Sequence, residues 1–450
     1  MSRRHFDELN AHLFPGDRDE HGAVLLAGIA ETHDGPVFLV REVHRASEGV
    51  DYVEGTYGYR ALAPQFIHRM ITRARDQRLA YLAVHNHDSD DRVRFSGIDM
   101  ESHERGYPAL LQISRGMPVG ALVFGRRSIE ADVWLADHRR LCLGDATIVG
   151  GRIDKLRART LAASAGTADR HDRQIRMFGV MGQGLLSAST VGVVGLGGIG
   201  SLIVEYLARL GVGGFVLVDP DCVEESNLSR IVGARESDAD GRSLKTDVAM
   251  RVVQESNPRA RVKAITDDIA KESVARTLLD CDYMFIAADS MRARLVCNAV
   301  VHQYLIPAVQ VGSKIRATSD GDLADVFSAN RPVRPGRGCL WCNQLIDPTE
   351  LAKEAKSDED RKAQAYGVEE PNPSVISLNA ISAAHAVNDF LLDYLGMRAE
   401  PDEVCYEQFH PLQFKRALVV PRRDLDCSEC SPGGLRFARG DDVSLPCTDG

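Results

Sequence analysis

Residues 189–232, STVGVVGLGGIGSLIVEYLARLGVGGFVLVDPDCVEESNLSRIV, decide the fold of the larger part of this 450-residue chain. A short apolar strand runs directly into Gly195, Gly197, Gly198 and Gly200, and these glycines open an amphipathic helix. Glycines at such a junction let the backbone approach a phosphate, which the free N–H groups of the helix N-terminus then bind. Asp219, which ends the next strand, is placed to accept hydrogen bonds from a ribose. The stretch therefore predicts a nucleotide site, without separating NAD from ATP.

Outward from this stretch, apolar strand patterns alternate with helical patterns. Such alternation predicts an α/β fold with a mostly parallel, doubly wound, Rossmann-like sheet. The predicted strands are 190–195, 214–219, 261–265, 283–287 and 308–311, and the predicted helices are 200–211, 243–256, 270–279 and 291–303.

Polar residues after the second of these strands indicate which nucleotide chemistry to expect. Asn227, Arg230 and Lys245 follow Asp219, and Asp289 ends a later strand. An enzyme that directs a carboxylate at the α-phosphate of ATP needs cations to neutralise the growing charge and an acidic group to hold magnesium. A nicotinamide dehydrogenase has no such need, so the pattern favours ATP over that alternative.

The motifs follow one another along the chain as DRHDRQIRMFG, VVGLGGIGS, LVDPDCVEESNLSRI, SLKTD, AADS and two CxxC pairs. Together and in this order they resemble the superfamily of ThiF, MoeB and the ubiquitin-activating enzymes, over about residues 168–430. The resemblance implies that ATP and Mg²⁺ are used to adenylate the C-terminal glycine of a ubiquitin-like or sulfur-carrier protein that ends in Gly-Gly. Relatives that adenylate a peptide or a tRNA nucleoside leave those substrates as alternatives.

The same resemblance assigns roles to individual residues. Arg173, in the run RQI, is similar to the arginine that reaches across a dimer to the triphosphate of the partner subunit, so a homodimer is implied. By the resemblance, Asp219 would bind the ribose and Asp289 the magnesium ion. The phosphates would be bound by Asn227, Arg230 and Lys245.

The ten cysteines include two CxxC pairs, Cys339 with Cys342 and Cys427 with Cys430. In a cytosolic protein this spacing is typical of metal binding or redox chemistry rather than of a disulfide framework. Neither pair follows the strand-to-helix junction that a thioredoxin-like motif requires. We therefore predict a four-sulfur structural Zn²⁺ site that fixes the C-terminal part of the chain to the body of its domain.

Many relatives next transfer the acyl group to a cysteine that lies between the first CxxC and the closing helix. Residues 343–396 contain no cysteine. The chain is thus expected to stop at the acyl-adenylate and to pass it to a sulfur donor or to the thiol of a conjugating enzyme. Cys222, Cys297 and Cys405 remain candidates by default, although a buried structural thiol is the favoured interpretation of each.

The N-terminal part carries a second group of chemistry-bearing residues. Residues 22–44 predict two strands around a turn, residues 60–77 predict a helix, and the strand that follows ends at His85 and His87. Side chains at i and i+2 of a strand point to the same side, and Asp99 follows in the run SGID. Two imidazoles and a carboxylate predict a zinc site with one position left for water.

This block resembles the JAB/MPN (JAMM) metalloprotease family, whose pattern is two histidines, a serine and an aspartate with a distant upstream glutamate. The resemblance implies a deubiquitinase-like isopeptidase in which Glu20 activates the zinc-bound water and Ser96 supports the developing oxyanion. The sequence departs from the pattern twice: Asp88 replaces a proline, and the loop from His87 to Asp99 is one residue longer. The alternative is a docking domain of the same shape without catalysis.

Composition sets further limits. The formal net charge of −10 argues against a protein that coats DNA. The N-terminus has no signal-peptide pattern, and no stretch has the roughly eighteen apolar residues that a membrane span needs, so we expect a cytoplasmic protein. The expected boundaries are 1–150 for the JAB/MPN-like domain, 151–167 for a linker, 168–435 for the adenylation domain and 436–450 for a C-terminal tail.

Overall fold

The computed structural model describes residues 1–53, 61–157, 169–317, 323–355, 373–398 and 405–448. The chain divides into two compact units. Unit 1 comprises Met1–Ala162, Gln303–Leu305 and Leu435–Val443, and unit 2 comprises Ala163–His302, Ile306–Gly434 and Ser444–Gly450.

These units differ from the expected boundaries at the linker and the tail. Residues 153–157 of the expected linker form a strand of unit 1, and residues 158–167 lie outside the described residues. The expected tail, 436–450, is divided between the two units. Strand formation at 153–157 depends on pairing with residues 145–149, which the charged local sequence does not reveal.

Unit 1 is built around a mixed sheet and a separate hairpin. The sheet order is β2-β1-β3-β4-β5-β6, and only β3 and β4 pair in parallel. The strands of the sheet are β1 (Gly22–Thr32), β2 (Gly35–Arg45), β3 (Ala80–Asn86), β4 (Val119–Phe124), β5 (Ile129–Trp134) and β6 (Arg140–Leu143), and the hairpin is β7 (Asp145–Val149) with β8 (Ile153–Arg157).

In the described part of unit 1, three helices pack on this sheet: α1 (Arg3–Leu13), α2 (Pro64–Gln77) and α3 (Gly97–Ile113). Successive residues of β1 alternate between two cores, because strand side chains point to opposite faces. Leu25 belongs to the core that contains α1, whereas Val24 and Leu26 belong to the core that contains α2 and α3. The helix predicted over 60–77 begins at Pro64, a residue favoured in a first helical turn because it lacks an N–H group.

The sheet of unit 2 confirms the prediction of a mostly parallel, Rossmann-like fold. Its order is β11-β10-β9-β12-β13-β14-β15-β16. The first five of these strands pair in parallel, and the last three are added in antiparallel fashion. The strands are β9 (Thr190–Val194), β10 (Gly214–Val218), β11 (Arg261–Ile265), β12 (Tyr283–Ile286), β13 (Ala308–Ala317), β14 (Leu323–Val333), β15 (Tyr406–His410) and β16 (Lys415–Val419).

Eight α-helices are named in the part of unit 2 that the structure describes. The helix predicted over 270–279 is instead a short α-helix, α8 (Glu272–Ala275), followed by a 3₁₀-helix, Arg276–Asp280. In this segment the Thr277 hydroxyl donates to the Val274 carbonyl oxygen. Threonine side chains that bond to the backbone in this way compete with regular helix. The helices are α4 (Asp172–Ala188), α5 (Gly198–Leu210), α6 (Glu236–Asp240), α7 (Lys245–Ser256), α8 (Glu272–Ala275), α9 (Met291–Tyr304), α10 (Pro348–Glu354) and α11 (Ile376–Tyr394).

Across the described ranges, every helix is too short or too polar to cross a membrane.

Candidate functional site

The glycine loop, residues 195–200, leads from β9 into the first turn of α5. It lies where the strand order of the sheet reverses, with β10 on one side of β9 and β12 on the other. Ligands bind at such a point in open α/β sheets. Gly195 has a φ of +91°, and a Cβ there would lie 2.6 Å from the Ala288 nitrogen. A Cβ at Gly200 would lie 1.9 Å from the Gly195 carbonyl oxygen, whereas a Cβ at Gly197 would meet open space. Within the described residues no side chain caps α5, so its first N–H groups are available to an anion.

Asp219 lies at the end of β10 and is only 5% exposed. Its Oδ2 accepts a hydrogen bond from the Leu196 nitrogen at 2.6 Å, and its Oδ1 accepts one from the Asp221 nitrogen at 2.9 Å. Burial raises the pKa of Asp219, against the opposing effect of Lys245 and these two N–H groups. Since a carboxylate has about four acceptor positions, Asp219 retains the capacity to accept hydrogen bonds from a ribose.

Lys245, the first residue of α7, reaches the same carboxylate. Its Nζ lies 2.7 Å from Asp221 Oδ2 and 3.8 Å from Asp219 Oδ1. The Lys245 side chain is 13% exposed. The ammonium group is therefore held at the end of β10, beside the glycine loop to which Asp219 is hydrogen-bonded.

Arg230 and Asn379 both contact the glycine loop. A Cβ at Gly198 would lie 3.3 Å from Arg230 Cδ and 2.4 Å from Asn379 Nδ2. The Arg230 guanidinium donates to the Ser226 carbonyl oxygen at 2.5 Å, and Asn379 Oδ1 accepts from the Ser313 hydroxyl at 3.0 Å. Sequence reasoning missed Asn379, because a single asparagine within a distant helix carries no local signal of a nucleotide site.

Asp289 and Asn227 differ in how they relate to this site. Asp289 is exposed and follows Ala288, whose backbone abuts Gly195, so it lies beside the glycine loop. Asn227 is buried, and its Oδ1 accepts from the Glu224 nitrogen at 3.4 Å. The described contacts of Asn227 thus shape the loop after β10, and its expected role in binding phosphate stays a prediction.

Arg173 is not brought to the glycine loop of its own chain. Its neighbour Gln174 donates to the carbonyl oxygen of Leu210, the last residue of α5, at 2.9 Å. The glycine loop is at the opposite end of this 13-residue helix, which spans about 20 Å. Arg173 is exposed near that far end, so any role at a triphosphate must be in another copy of the chain.

The four paired cysteines form one buried cluster, Cys339, Cys342, Cys427 and Cys430. Their sulfurs are separated by 3.5 Å within the first pair and by 3.6 and 3.8 Å between the pairs. Four thiolates about 2.3 Å from a tetrahedral zinc ion lie about 3.8 Å apart. The donor set and its spacing therefore fit a structural zinc ion.

The structure also brings together His85, His87 and Asp99, with one ligand atom of each lying within 4.8 Å of the others. His85 comes from the end of β3, His87 follows that strand, and Asp99 lies in the first turn of α3. The Nε2 atoms of His85 and His87 lie 3.7 and 3.8 Å from Asp99 Oδ2. His85 Nε2 is buried without a hydrogen-bond partner in the part of the chain that is described. A buried nitrogen in this state fits a metal ligand.

Glu20 and Ser96 lie next to this cluster. Glu20 Oε1 is 3.7 Å from His87 Nε2, and burial raises the pKa of Glu20. Ser96 is the N-cap of α3, and its hydroxyl donates to Asp99 Oδ2 at 2.7 Å. Burial alone would raise the pKa of Asp99, but His85 and the Ser96 hydrogen bonds lower it overall. In the described contacts Ser96 orients the Asp99 carboxylate. Its expected role in stabilising the oxyanion stays a prediction.

A cleft of about 370 Å³ opens beside the cluster. Asp88, which replaces the expected proline, lines it and lies 3.4 Å from the Arg126 guanidinium. The Arg126 nitrogen also donates to the Ser89 carbonyl oxygen at 2.8 Å. The acidic loop after His87 is thus fixed to the turn between β4 and β5. The cleft is lined by Leu13, Phe14, Asp17, Arg18, Asp19, Glu20, Asn86, His87, Asp88 and Arg126.

Comparison with known proteins identifies similar chains for the second unit. Residues 171–427 match the ThiF family. The SAMP-activating enzyme E1 of Haloferax volcanii is 38% identical over 152 residues, which cover 33% of this chain and 56% of that protein. The tRNA threonylcarbamoyladenosine dehydratase of Escherichia coli is 30% identical over 138 residues, which cover 30% of this chain and 51% of that protein. The matches thus span about half the length of these relatives. A crystal structure of E. coli MccB with ATP has 21% identity and a TM-score of 0.47, and the match covers 59% of this chain and 75% of that chain.

Proposed function

The chain belongs to the ThiF family, and on this premise we propose that it transfers AMP from ATP to the C-terminal carboxylate of a ubiquitin-like or sulfur-carrier protein. The observation that carries the proposal is the convergence of an uncapped helix N-terminus, two cations and two carboxylates at the glycine loop. A dehydrogenase needs no such set of charges around the phosphates. The identification of the substrate draws on the relative from H. volcanii, which is a SAMP-activating enzyme.

Each group at the loop has a role in this reaction. The N–H groups at the start of α5 bind phosphate oxygens, and Asp219 accepts hydrogen bonds from the ribose. Arg230 and Lys245 neutralise the charge that develops on the triphosphate. Asp289 holds the magnesium ion that accompanies ATP. A carboxylate oxygen of the substrate forms a bond to the α-phosphorus, the bond from that phosphorus to the bridging oxygen breaks, and pyrophosphate leaves with the electron pair.

The acyl-adenylate is proposed to be the end product of this unit. The interval 343–396, where relatives carry a nucleophilic cysteine, contains none. Cys297 is fully buried, and burial raises its pKa to about 12, which disfavours the thiolate. Cys222 is half-buried and Cys405 is exposed, so the interpretation as a buried structural thiol is wrong for Cys405. The proposal that the acyl group passes to an external sulfur donor or to the thiol of a conjugating enzyme rests on the absence of a cysteine from residues 343–396.

A homodimer is proposed from the position of Arg173. Because Arg173 lies at the end of α5 opposite the glycine loop, it serves a triphosphate only in a partner subunit. Arg173 belongs to α4, which also exposes Met177, Val180 and Met181 at 59%, 41% and 44%. These apolar side chains lie on either side of Gly179, whose φ of 74° and ψ of 170° interrupt the helix, and their exposed surface suits burial against a second copy.

We further propose that unit 1 is a JAB/MPN-like hydrolase that releases the same kind of protein from conjugates. His85, His87 and Asp99 would hold zinc, and Glu20 would accept a proton from the attacking water. Bound zinc would lower the pKa of a water ligand to about 7, so that no nucleophilic side chain is needed. Such a fusion would serve a cytoplasmic conjugation or sulfur-transfer pathway that recognises one Gly-Gly tail twice.

ATP–pyrophosphate exchange tests the first proposal. The purified chain is assayed with a ubiquitin-like protein ending in Gly-Gly, with the same protein lacking its last glycine, and with tRNA or a short peptide. We expect exchange only with the intact Gly-Gly tail. Exchange supported by tRNA or the peptide alone would move the chain to another branch of the family.

A further inference from the structure

A buried hydrogen-bonded pair in unit 1 has no role in the function proposed above. His103, on α3, is 6% exposed, and Asp132, on β5, is 1% exposed. His103 Nδ1 donates to Asp132 Oδ2 at 2.8 Å. Arg140 adds two hydrogen bonds to the Asp132 carboxylate, from Nε at 2.5 Å and from Nη2 at 2.9 Å. A buried carboxylate with such partners is held in one orientation.

His103 is rigidly connected to one proposed metal ligand. It lies four residues after Asp99 on α3, and residues at this spacing share a helical face. The first turn of α3 is further fixed by a capping box in which Ser96 and Asp99 bond to each other's backbone nitrogen. Any shift of His103 along or around the helix therefore moves the Asp99 carboxylate.

Asp132 is rigidly connected to the other side of the metal site. In the sheet of unit 1, Asp132 on β5 pairs with Ala121 on β4, and Ala121 pairs with Ala83 on β3. Ala83 lies two residues before His85, the ligand at the end of β3. Asp132 and His85 thus share one hydrogen-bonded frame.

The ring of Phe95 lies between β3, which carries His85, and α3, which carries His103. Its centroid is 6.0 Å from that of His85 and 5.0 Å from that of His103. His103 also stacks on Tyr107 with centroids 4.7 Å apart. The imidazole of His103 therefore stacks on Tyr107 and makes a T-shaped contact with Phe95, and these two contacts restrict its orientation.

We propose that the His103–Asp132 hydrogen bond sets the distance between His85 and Asp99, which makes His103 a positioning residue for metal binding at the His85–His87–Asp99 site. The inference rests on the proposed function of that site. Metal–ligand distances tolerate only about 0.2 Å of error. The His103–Asp132 hydrogen bond, called the brace below, fixes α3 to the sheet and therefore acts directly on the affinity of the site for its metal ion. Groups that hydrogen-bond directly to metal ligands typically change metal affinity by about 10- to 100-fold, and the pair acts on Asp99 and His85 through the helix and the sheet that carry them.

Cobalt binding tests the proposal without an activity assay. A chelator removes the metal ion of the His85–His87–Asp99 site from the full-length chain. Co²⁺ is then titrated into the protein while the visible absorption of bound cobalt is recorded. His103→Leu removes the donor, whereas His103→Asn keeps a side-chain N–H near the position of Nδ1. His5→Leu is the matched control, because His5 is 7% exposed in α1 and packs on Phe437 rather than on a ligand-bearing element.

We expect His103→Leu to weaken cobalt binding about 10- to 100-fold, His103→Asn to restore most of the affinity, and His5→Leu to leave it unchanged. If His103→Leu does not fold, His103→Phe removes the same donor while it keeps a ring against Phe95 and Tyr107, and it should show the same loss. A folded His103→Leu or His103→Phe chain that binds cobalt like the wild type overturns the brace alone. A wild-type chain that binds no cobalt at this site overturns the proposed metal site and the brace with it.

Discussion

The Nε2 atom of His85 lies 3.7 Å from the Oδ2 atom of Asp99. This distance is too long for a hydrogen bond and near the separation of about 3.3 Å between two nitrogen or oxygen ligands of one tetrahedral zinc ion. The two side chains come from the end of β3 and the start of α3, so the gap between them is a property of the fold of unit 1. Lys245 and Asp219 form their own constellation within unit 2. Substitutions at one site should therefore leave the other intact.

Lys245→Ala should lower the rate of ATP–pyrophosphate exchange by about 100-fold or more, because a cation that stabilises the developing charge is lost. The zinc content should not change. Lys263→Ala is the matched control, since Lys263 lies on β11 of the same unit with a 53% exposed side chain. Equal exchange rates in the Lys245→Ala chain and the wild type would remove Lys245 from the phosphate site.

Gly200→Ala should abolish binding of a fluorescent ATP analogue and lower the free energy of unfolding by about 1–3 kcal/mol. The added Cβ would lie 1.9 Å from the Gly195 carbonyl oxygen, which is backbone that must move. Gly184→Ala serves as the control, because a Cβ there meets no atom within 4 Å. This helical alanine should instead add about 0.5–1 kcal/mol. Normal ATP binding by Gly200→Ala would mean that the loop does not hold the nucleotide.

Cys427→Ser should reduce bound zinc by about one ion per chain and lower the thermal unfolding midpoint, because a tetrahedral site with three thiolates binds zinc less tightly. The comparison is Cys142→Ser, which changes an exposed cysteine. Elemental analysis and calorimetry measure both effects. An unchanged zinc content together with an unchanged unfolding midpoint in Cys427→Ser would contradict a zinc ion at the cluster.

Asp132→Asn should lower the free energy of unfolding at pH 7 by about 1–3 kcal/mol. Burial alone would raise the pKa of Asp132, but hydrogen bonds from His103 and Arg140 hold it below its ordinary value of 3.8. A lowered pKa contributes stability that is fully present above pH 3.8 and is lost as the pH falls through the folded-state value. The difference between wild type and variant in urea unfolding should shrink from pH 5 toward the acid limit. A difference that grows on acidification would contradict the account.

Local patterns were sufficient to predict the parallel strands, the glycine loop and both clusters of ligands. The period of the apolar residues indicates strands and helices directly. The spacing of His85 and His87 indicates two imidazoles on the same side of a strand. The signal within each pair is local, whereas the joining of the two CxxC pairs, which are 88 residues apart, was inferred from their matching ligand type.

Several of the features that the sequence did not reveal depend on distant pairing. Asn379 reaches Gly198 from a helix almost two hundred residues later. His103 meets Asp132 only because α3 packs on the sheet, and neither residue belongs to a motif. The pairing of β14 with β15 likewise joins strands that lie far apart in the chain.

The number of zinc ions per chain tests the central claim, that one chain carries a cysteine site and a histidine site in separate units. Zinc is measured by elemental mass spectrometry in the wild type, in His85→Ala and in His33→Ala, where His33 is an exposed histidine with an 87% accessible side chain. The account predicts about two zinc ions in the wild type and in His33→Ala, and about one in His85→Ala. A single zinc ion in all three chains would contradict it, and would leave unit 1 without its proposed metal site.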